Sequence, residues 1–559
     1  MKRFTLFAAT ILCTLASLAI QPSGTLPVIY INTDGGVEIT SKEDYVIGTY
    51  YLDPMGNPDF QAFGTADAPL PLQIKGRGNY TWIGFDKKPY RLKLNSKAAL
   101  LGMNKSKHFV LLAGADDNKG FMRNPVGFQL SRLIGMKWTP TEKPCELVLN
   151  GQYRGLYFLC ENIRVDADRV NIVEQADNIT DPEQITGGWL VEIDNYDTDP
   201  HIEITEGDGE RIIFTYKTPE ILSTEQADYL TTQMSTINSL IYDKNKENCQ
   251  WAQYVDLQEL AKFYIIQELT DNYESFHGSC YLHKDLGQTE KWYFGPVWDF
   301  GSAFNYNKTR PFYVGREHHN TWIPEMCRFP EFMEIVKQQW QEFYTTNFSE
   351  IYDYIDTYAE NIRTAVDIDY ARWPAYGNQN LDQKTGTVKA LLRGAATYMC
   401  ELFGPEPEPL CKVQVYFQDN DPNPWNEVYV FSWDPERSNE AYFGSWPGTK
   451  MTPITYQDKQ TWSYTLNLDI IPSPSTGIIF NNGNAGKPNN QTEDLIFENN
   501  KIYDRNGVIG DIAGIDNIIT DTPTLPAEYF DITGRKITNP TKGLYLRKTG
   551  NKIEKIIIR

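Results

Sequence analysis

Alternation of apolar and polar residues organises the first hundred positions of the chain. Four stretches, VIYINT, VIGTYYL, LPLQIKGRG and YRLKLN, alternate with a period of two and are separated by Gly, Asp and Pro turns. This period is typical of strands that bury one face. We therefore predict that residues 25–100 form a twisted antiparallel sheet.

Apolar positions take a helical period farther along the chain. Residues 121–136, 224–271 and 331–402 show this period, and Asp256 is placed to cap the helix that leads to residue 271. Residues 145–163 predict a hairpin, because Asn150-Gly151 is a strong two-residue turn signal. Together these patterns predict an α+β domain over 25–405, with a sheet-rich first part and a helix-rich second part.

A second unit begins after the alternating prolines of GPEPEP at 404–409, a spacing that stiffens an extended spacer and stops a helix. The strands CKVQVYFQ, WNEVYVFSW, TWSYTLNL and TGIIFNNG follow, separated by turn clusters. They predict an all-β sandwich over 411–505. A linker at 506–526 then leads to a small β tail at 527–559.

The N-terminus and the charge indicate an exported protein. Residues 1–20 place Lys2 and Arg3 before an apolar run of signal-peptide length, and no later uncharged run is long enough to span a membrane. The formal net charge of −21 argues against nucleic acid as a partner. Seven cysteines follow residue 20 without a Cys-x-x-Cys pair or a neighbouring His cluster, which predicts buried free thiols, with or without a single disulfide, and no zinc site.

Residues 264–306 hold the main candidates for chemistry. Asp271, Asn272 and Glu274 lie at the end of a predicted helix, and Asp299 stands directly before the turn-prone Phe300-Gly301. Carboxylate and amide oxygens hold divalent cations on phosphate groups, and a further carboxylate can orient an attacking hydroxyl. The arrangement predicts metal-dependent phosphate chemistry, although the triplet Asp-Phe-Gly alone is a weak signal.

A series of motifs makes residues 25–405 resemble the CotH kinase family. In chain order the motifs are KGRGN (75–79) with Trp82, KKPYRLKL (87–94), MRN (122–124), ELVLNGQYRGLY (146–157), ENI (161–163), DRV (168–170), GGWL (187–190) and GPVWD (295–299). The family usually reads Asn-x-Asp at the helix end, where this chain has Asn272-Tyr273-Glu274. Glutamate keeps the charge but reaches one methylene farther.

The resemblance implies a two-lobed atypical kinase fold that uses ATP and Mg²⁺ or Mn²⁺ to phosphorylate a protein or a glycan-associated acceptor. It implies that Glu274 and Asp299 are catalytic and that Asn272 and Asp299 hold the metal. The residues expected to bind the nucleotide are Arg77 and Asn79 in the glycine-rich turn, Lys93 on its alternating strand, and Glu161 as the partner of Lys93. For each of these four residues, an ordinary position at the protein surface without a role in nucleotide binding remains the alternative.

The predicted sandwich resembles the starch-binding modules of carbohydrate-binding family 26. The matching strings are WNEVYV (425–430), WD (433–434), WPGTKM (446–451), IFNNG (479–483) and QT (491–492). The resemblance implies binding to starch-like α-glucan, whose apolar sugar faces stack on aromatic rings. Tyr429, Trp433 and Trp446 are the stacking candidates and Gln491 is the polar one. Alternation places Tyr429 and Trp433 on one face, and we expect at least one of the three aromatics to pack in the core.

The tail at 527–559 alternates and has a local excess of Lys and Arg. Its strings YFDITGR (529–535) and KGLY (542–545) resemble the sorting tails of Bacteroidetes proteins exported through the type nine secretion system, which implies a place on the outer-membrane surface. A small terminal β unit without a sorting role is the alternative.

Two classes of function are therefore open. The first is a secreted phosphoryl transferase directed to α-glucan, which Lys93, Asn272 and Asp299 favour. The second is a non-catalytic, glycan-binding surface protein with a kinase-like scaffold. Glu274 in place of aspartate favours the second class, as does the scarcity of ATP outside cells.

Overall fold

The computed structural model of the protein describes residues 20–205, 211–305, 321–376, 380–405, 411–437, 439, 441–468, 472–484, 486 and 489–512, and the backbone of four short segments at 528–530, 536–537, 543–549 and 552–558. The predicted signal peptide lies outside these residues except for Ile20. The chain divides into two compact units, Met1–Glu408 and Pro409–Arg559.

Seven strands close into a barrel in the first unit. They are β1 (Val28–Thr33), β2 (Val46–Asp53), β3 (Leu70–Gly76), β4 (Tyr90–Ala98), β5 (Ser106–Leu112), β6 (Glu142–Leu149) and β7 (Gln152–Glu161). The order around the barrel is β1-β2-β3-β4-β5-β7-β6, and β1 pairs with β6 in parallel. The prediction of a twisted sheet for 25–100 is therefore incomplete. Strands β5–β7 pair with the two edges of this sheet and close it into a barrel.

The wall of the barrel separates two hydrophobic cores. Leu92, Phe109 and Leu159 lie in the core inside the barrel. Val110, Phe158 and Cys160 belong to a larger core that the barrel shares with the rest of the first unit. Because side chains of a strand alternate between its faces, the single wall formed by β5 and β7 supplies both cores.

Helices and a second sheet make up the rest of the first unit. The helices are α1 (Tyr80–Gly84), α2 (Arg123–Leu133), α3 (Thr224–Ile241), α4 (Leu257–Thr270), α5 (Ile323–Met326), α6 (Pro330–Thr346), α7 (Glu350–Arg372) and α8 (Leu381–Phe403). The second sheet has the order β12-β11-β8-β10-β9, with β8 (Trp189–Asp194), β9 (His201–Thr205), β10 (Arg211–Thr218), β11 (Cys280–Lys284) and β12 (Tyr293–Phe294).

The helix predicted over 224–271 is two helices, α3 and α4, with a connection at 242–256 between them. The second begins as predicted, since the Asp256 carboxylate accepts a hydrogen bond from the Glu259 amide at 2.9 Å. Almost every residue of α4 is buried, so this helix lies at the centre of the larger core.

The second unit contains two facing groups of strands. Its strands are β13 (Cys411–Phe417), β14 (Tyr429–Trp433), β15 (Thr449–Lys450), β16 (Thr452–Tyr456), β17 (Lys459–Leu468), β18 (Gly477–Asn481), β19 (Leu495–Ile496), β20 (Lys501–Asp504) and β21 (Gly507–Asp511). They form sheets of order β16-β17-β13-β20-β21 and β15-β14-β18-β19, which share one hydrophobic core. Since β21 pairs with β20, the sheet continues into the first residues of the predicted linker.

The C-terminal tail forms a separate antiparallel sheet. Its strands are β22 (Glu528–Phe530), β23 (Lys536–Ile537), β24 (Gly543–Thr549) and β25 (Lys552–Ile558), in the order β23-β22-β24-β25. The sorting role proposed for this tail stays a prediction.

Two sequence-based expectations concern the described part of the chain as a whole. Its cysteines at 145, 160, 249, 280, 327 and 400 are buried and free, as predicted. Within the same residues, no helix has the length and apolar character required to cross a membrane.

A buried ion pair joins the barrel to the helices. The Lys87 ammonium lies 2.6 Å from Asp369 on α7, and both side chains are nearly inaccessible to solvent. Asp369 also accepts a hydrogen bond from the Leu156 amide of β7 at 2.8 Å. A Cβ on Gly155 would fall only 2.0 Å from this carboxylate, so glycine is required for the approach. Burial lowers the pKa of Lys87, and the neighbouring carboxylate offsets part of that effect.

We predict that Asp369→Asn lowers the free energy of unfolding of the first unit by about 3 kcal/mol, because it leaves the Lys87 ammonium buried without its counter-charge. Thermal and denaturant unfolding of the full chain measure this change. Asp367→Asn, an exposed position on the same helix, should change stability by less than about 0.5 kcal/mol. Equal effects of the two substitutions would contradict the role of the ion pair.

Candidate functional site

The C-terminal end of α4 places Asn272 beside Asp299. Asp271 adopts the left-handed conformation, with φ of 49°, and ends the helix. The Asn272 amide nitrogen, Nδ2, donates to Gln267 Oε1 and to the main-chain oxygen of Asp299, both at 3.0 Å. A buried side chain thus connects the helix end to the turn that follows β12, and brings together two residues that the sequence predicted as metal ligands.

The Asp299 turn, residues 299–305, exposes the Asp299 carboxylate. Asp299 itself has a positive φ of 54°, and its Oδ1 accepts a hydrogen bond from the Gly301 amide at 3.0 Å. The Phe304 amide donates to the main-chain oxygen of Thr270 at 2.7 Å. The turn is therefore attached both to Thr270, the last residue of α4, and to Asn272 just beyond it.

Phe300 anchors the same turn in the core. Its ring is buried and lies so close to Gly127 of α2 that a Cβ there would meet it at 2.4 Å. The Phe300 amide donates to Asn124 Oδ1 at 2.9 Å. The aromatic residue of the Asp-Phe-Gly triplet thus fixes the backbone beside Asp299.

Arg123 holds the Asp299 turn to a second loop. Its guanidinium is buried and donates to the main-chain oxygens of Gly301 and Asp116 and to Asn305 Oδ1. A fourth contact reaches Asn118 Oδ1 at 3.3 Å. One side chain from the MRN motif therefore positions residues 116–118 against residues 301–305.

Asp116 is a functional candidate that sequence analysis missed. A Cβ on Gly301 would lie 3.0 Å from Asp299 Oδ1 and 3.3 Å from Asp116 Oδ2, so both carboxylates face the same small space. Burial, together with the neighbouring Asp299 and Asp117, raises the pKa of Asp116 to about 6. The run Ala-Asp-Asp-Asn at 115–118 was the available signal, but nothing in the sequence relates it to Asp299.

The donor atoms around Gly301 fit a hard divalent cation. Asp116 and Asp299 offer carboxylate oxygens there, and the buried Asn272 amide contacts the main chain of Asp299 beside them. Carboxylate and amide oxygens are ligand types that Mg²⁺ and Mn²⁺ accept. Among the residues described by the structure, no group of three or more His, Cys, Asp or Glu side chains is arranged to hold a metal ion. A cation at this place would thus share its coordination with phosphate oxygens, which is usual for Mg²⁺ in phosphoryl transfer.

Glu274 joins the same group. Its carboxylate is exposed, and Oε2 accepts a hydrogen bond from the Ser302 hydroxyl at 2.5 Å. Since Ser302 belongs to the Asp299 turn, Glu274 lies beside it. The structure therefore brings together Asn272, Glu274 and Asp299.

The four predicted nucleotide-binding residues make two kinds of contact. Arg77 and Lys93 lie near aromatic rings, whereas Asn79 and Glu161 accept hydrogen bonds. Arg77 lies over the Trp298 ring, with its Cζ 5.6 Å from the ring centroid, and Lys93 is exposed, 6.0 Å from the Tyr45 ring centroid. Asn79 Oδ1 accepts from the Lys42 ammonium at 2.7 Å. Glu161 is buried and accepts from the Thr141 amide at 2.9 Å.

The expected pairing of Lys93 with Glu161 is wrong. Lys93 is opposite His108 across the barrel wall, whereas Glu161 is opposite Phe109. Consecutive residues of β5 point to opposite faces, so Lys93 and Glu161 lie on different sides of the wall. The sequence shows the alternation in each strand but not which strands pair or in which register.

A cavity of about 270 Å³ lies near the Gly295-Pro296 segment. Its lining includes Lys137, Arg169, Glu259 and His283. None of the carboxylates around Gly301 lines it, so the convergent oxygen ligands, rather than this cavity, define the candidate site.

The aromatic glucan-binding candidates form a partly exposed surface around β14. Tyr429, Phe431 and Trp433 alternate with the buried Val430 and Ser432, which places all three rings on the solvent-facing side. The side chain of Trp446 is 47% exposed, and its ring meets Phe431 edge-on at 5.1 Å. Phe431 is an additional candidate, which lies between the strings WNEVYV (425–430) and WD (433–434) that carry the resemblance.

Glycines on neighbouring strands make room for these rings. A Cβ on Gly477, directly opposite Trp433, would meet the indole at 2.3 Å. Tyr429 lies opposite Asn481, which in turn bridges to Gln491, so Gln491 is on the same side of the sheet as the rings. Its Oε1 accepts from the Gly486 amide at 2.5 Å.

The expectation that one of the three aromatics packs in the core is wrong. The core of the sandwich contains Phe417, Trp425, Phe443, Trp462, Phe480 and Tyr503, and neither Tyr429, Trp433 nor Trp446 is among them. The six core rings fill the space between the sheets. The rings on β14 therefore remain at the surface.

Two family models match the chain, in the order that the sequence suggested. The model described as CotH kinase protein matches residues 73–399, and Starch-binding module 26 matches residues 415–497. The curated proteins provide no match to the chain. The first match covers more than half of the chain and includes every residue placed around Gly301. The chain therefore belongs to the CotH kinase protein family and carries a starch-binding module 26 after its kinase-family domain.

Proposed function

We propose that this protein is a metal-dependent phosphoryl transferase of the CotH type that its C-terminal module holds on starch-like α-glucan. The observation that carries the proposal is the convergence of Asn272, Glu274 and Asp299 on one exposed turn, with Asp116 facing the same space. In this proposal the barrel and the helix-rich part of the first unit correspond to the two lobes of an atypical kinase.

Phosphoryl transfer depends mainly on positioning and on neutralising charge. Asp116, Asn272 and Asp299 would hold Mg²⁺ or Mn²⁺, which when bound supplies positive charge to the phosphate oxygens of the donor. Glu274 would accept the proton of the acceptor hydroxyl, a role that suits an exposed carboxylate next to the metal residues. The hydrogen bond from Ser302 fixes Glu274 Oε2 and leaves Oε1 for the acceptor.

ATP is the proposed donor. Arg77 and Lys93 would contact its phosphate groups, because both cations lie on the outer face of the barrel and Arg77 lies beside Trp298, the residue before Asp299. Asn79 and Glu161 are left out of the proposed nucleotide site, since their side chains already have partners in the fold.

The proposed setting is extracellular, either secreted or on the outer-membrane surface. A signal-like N-terminus, a sorting-like tail and a starch-binding module support this setting together. The acceptor would be a protein or a glycan-associated group close to the bound α-glucan.

A non-catalytic, glycan-binding scaffold is the second candidate function. The observation that favours it is Glu274 itself, since a carboxylate displaced by about an ångström can lower a rate on the order of a hundredfold. The two candidates differ in whether the wild-type chain transfers phosphate at all.

We predict that wild-type protein transfers labelled phosphate from ATP when Mg²⁺ or Mn²⁺ is present, and that Asp299→Asn abolishes the transfer. The melting temperature should hardly change, because the Asp299 carboxylate is exposed. Glu274→Asp should slow transfer about a hundredfold, since the shorter side chain retreats from the acceptor. An inactive wild type that Glu274→Asp restores would support the scaffold instead.

We predict that Gly301→Ala weakens Mn²⁺ binding about tenfold or more, because the added Cβ would intrude between the Asp116 and Asp299 carboxylates. Titration calorimetry or electron paramagnetic resonance with Mn²⁺ measures this directly. Gly386→Ala is the control, since its Cβ would meet nothing within 4 Å. Unchanged affinity in Gly301→Ala would refute the proposed position of the metal.

We predict that the full chain is retarded by soluble starch but not by a cellulose-type polymer in affinity gels. Trp446→Ala should reduce the retardation by starch about tenfold in apparent affinity, because it removes an exposed stacking ring. Tyr80→Ala, which removes an exposed ring from the first unit, is the control. Retention of starch binding in Trp446→Ala would show that this surface is not the glucan site.

A further inference from the structure

The outer face of the barrel carries a strip of cations. We define the basic strip as Lys75, Arg91 and Lys93 on the strands, together with Arg77 just after β3 and Arg164 just after β7. Lys75 is directly opposite Arg91, and Lys93 is directly opposite His108, so these side chains share one face of adjacent strands. Their position on one face follows from the register, which the sequence alone does not show.

No carboxylate of the described residues forms an ion pair with a cation of the basic strip. Within the described residues, none of the five has a carboxylate oxygen within the 4.0 Å that defines an ion pair. The Lys75 ammonium lies 3.3 Å from the main-chain oxygen of Glu43 and 5.1 Å from the Tyr45 ring centroid. The carboxylates of Glu43, Asp199 and Asp44 act on Lys75 only from a distance.

This concentration of positive charge is unexpected in a chain with a net charge of −21. Like charges on neighbouring strands repel each other and lower stability, so a strip of this kind has a cost unless an anion binds to it. A focused positive field raises the local concentration of anionic ligands. The strip therefore points to an anionic ligand.

The pKa of His108 responds to the positive charge of the basic strip. Burial and the cations Arg164, Arg91, Lys93 and Arg169 lower the pKa of His108 to about 4. The imidazole is therefore neutral at pH 7, and its buried Nδ1 makes no hydrogen bond with any described residue. A bound anion would offset the cations and raise this pKa.

One end of the basic strip lies next to the start of the Asp299 turn. The Arg77 guanidinium lies over the ring of Trp298, the residue before Asp299. If the β3–β4 register is continued one residue past Gly76, Arg77 is four residues along the strands and two strands across from His108, which corresponds to roughly 15 Å. That length exceeds the phosphate chain of one nucleoside triphosphate.

We propose that the basic strip binds a linear chain of phosphate groups with its terminal phosphate near Asp299, and that inorganic polyphosphate serves as a phosphoryl donor alongside a nucleoside triphosphate. The inference rests on the proposed phosphoryl transfer. In the reaction the acceptor oxygen forms a bond to the terminal phosphorus, the terminal P–O–P anhydride bond breaks, and the acceptor proton moves to Glu274. The remaining chain leaves one phosphate shorter, so no oxidant or further reactant is needed.

Binding tests the strip separately from catalysis. Titration of the full chain with long-chain polyphosphate should show binding that weakens about a hundredfold in the double variant Arg91→Gln/Lys93→Gln, since each charge contact removed costs about tenfold. Lys107→Gln changes the charge of β5 at the neighbouring position, on the opposite side of the strand from His108, and should bind like the wild type. Equal binding by the double variant and the wild type would overturn the proposal.

Histidine NMR gives a second readout. Polyphosphate should raise the pKa of one imidazole by at least one unit, and His108→Gln should remove that signal. If the pKa of His108 does not change while polyphosphate binds, the ligand lies elsewhere and the proposal fails.

Transfer assays distinguish the two sources of phosphate. Polyphosphate as the only donor should phosphorylate protein, detected by mass spectrometry, and Asp299→Asn should prevent it. Strip-dependent polyphosphate binding with no transfer from either donor would overturn the proposed function and the donor role, and leave an anion-binding strip. Transfer from ATP with no transfer from polyphosphate would overturn the inference while the proposed function stands.

Discussion

The hydrogen bonds of one buried guanidinium hold the candidate site together. Arg123 donates to main-chain oxygens of Asp116 and Gly301 and to side chains of the same two loops. Hydrogen bonds to a charged group each contribute about 1.5–3 kcal/mol and become costly to lose when buried. Because Arg123 belongs to α2, the two loops take their positions from a helix packed in the core, and the carboxylates near Gly301 follow from that packing.

Close approaches that only glycine permits recur wherever the protein positions a functional group. Gly127 admits the Phe300 ring next to Asp299, and Gly155 admits the Asp369 carboxylate that pairs with Lys87. Gly477 lets the Trp433 indole lie over the sheet in the second unit. In each place a side chain would displace the functional element by an ångström or more, so the geometry depends on the missing Cβ.

The barrel wall combines structural and chemical roles through simple alternation. The inner residues of β4 and β5 fill the barrel core, and their outer neighbours either join the larger core or carry the cations of the basic strip. In the second unit β14 repeats this division, with Val430 in the core and exposed rings on the other face. Both candidate binding surfaces are therefore outer faces of sheets whose inner faces are hydrophobic cores.

The sequence by itself determined the order of the units, most strands and helices, and the Asn150-Gly151 hairpin. It also determined the Asp256 cap and the grouping of Asn272 and Glu274 with Asp299. Each of these features depends on local periodicity, turn chemistry or motif order. Tertiary structure alone decided the closure of the barrel, the position of Asp116 and the separation of Lys93 from Glu161. It also decided which face of β14 is exposed. These features depend on strand register and on contacts between residues distant in sequence, and a local pattern of apolar and polar residues is the same for every register that preserves its alternation.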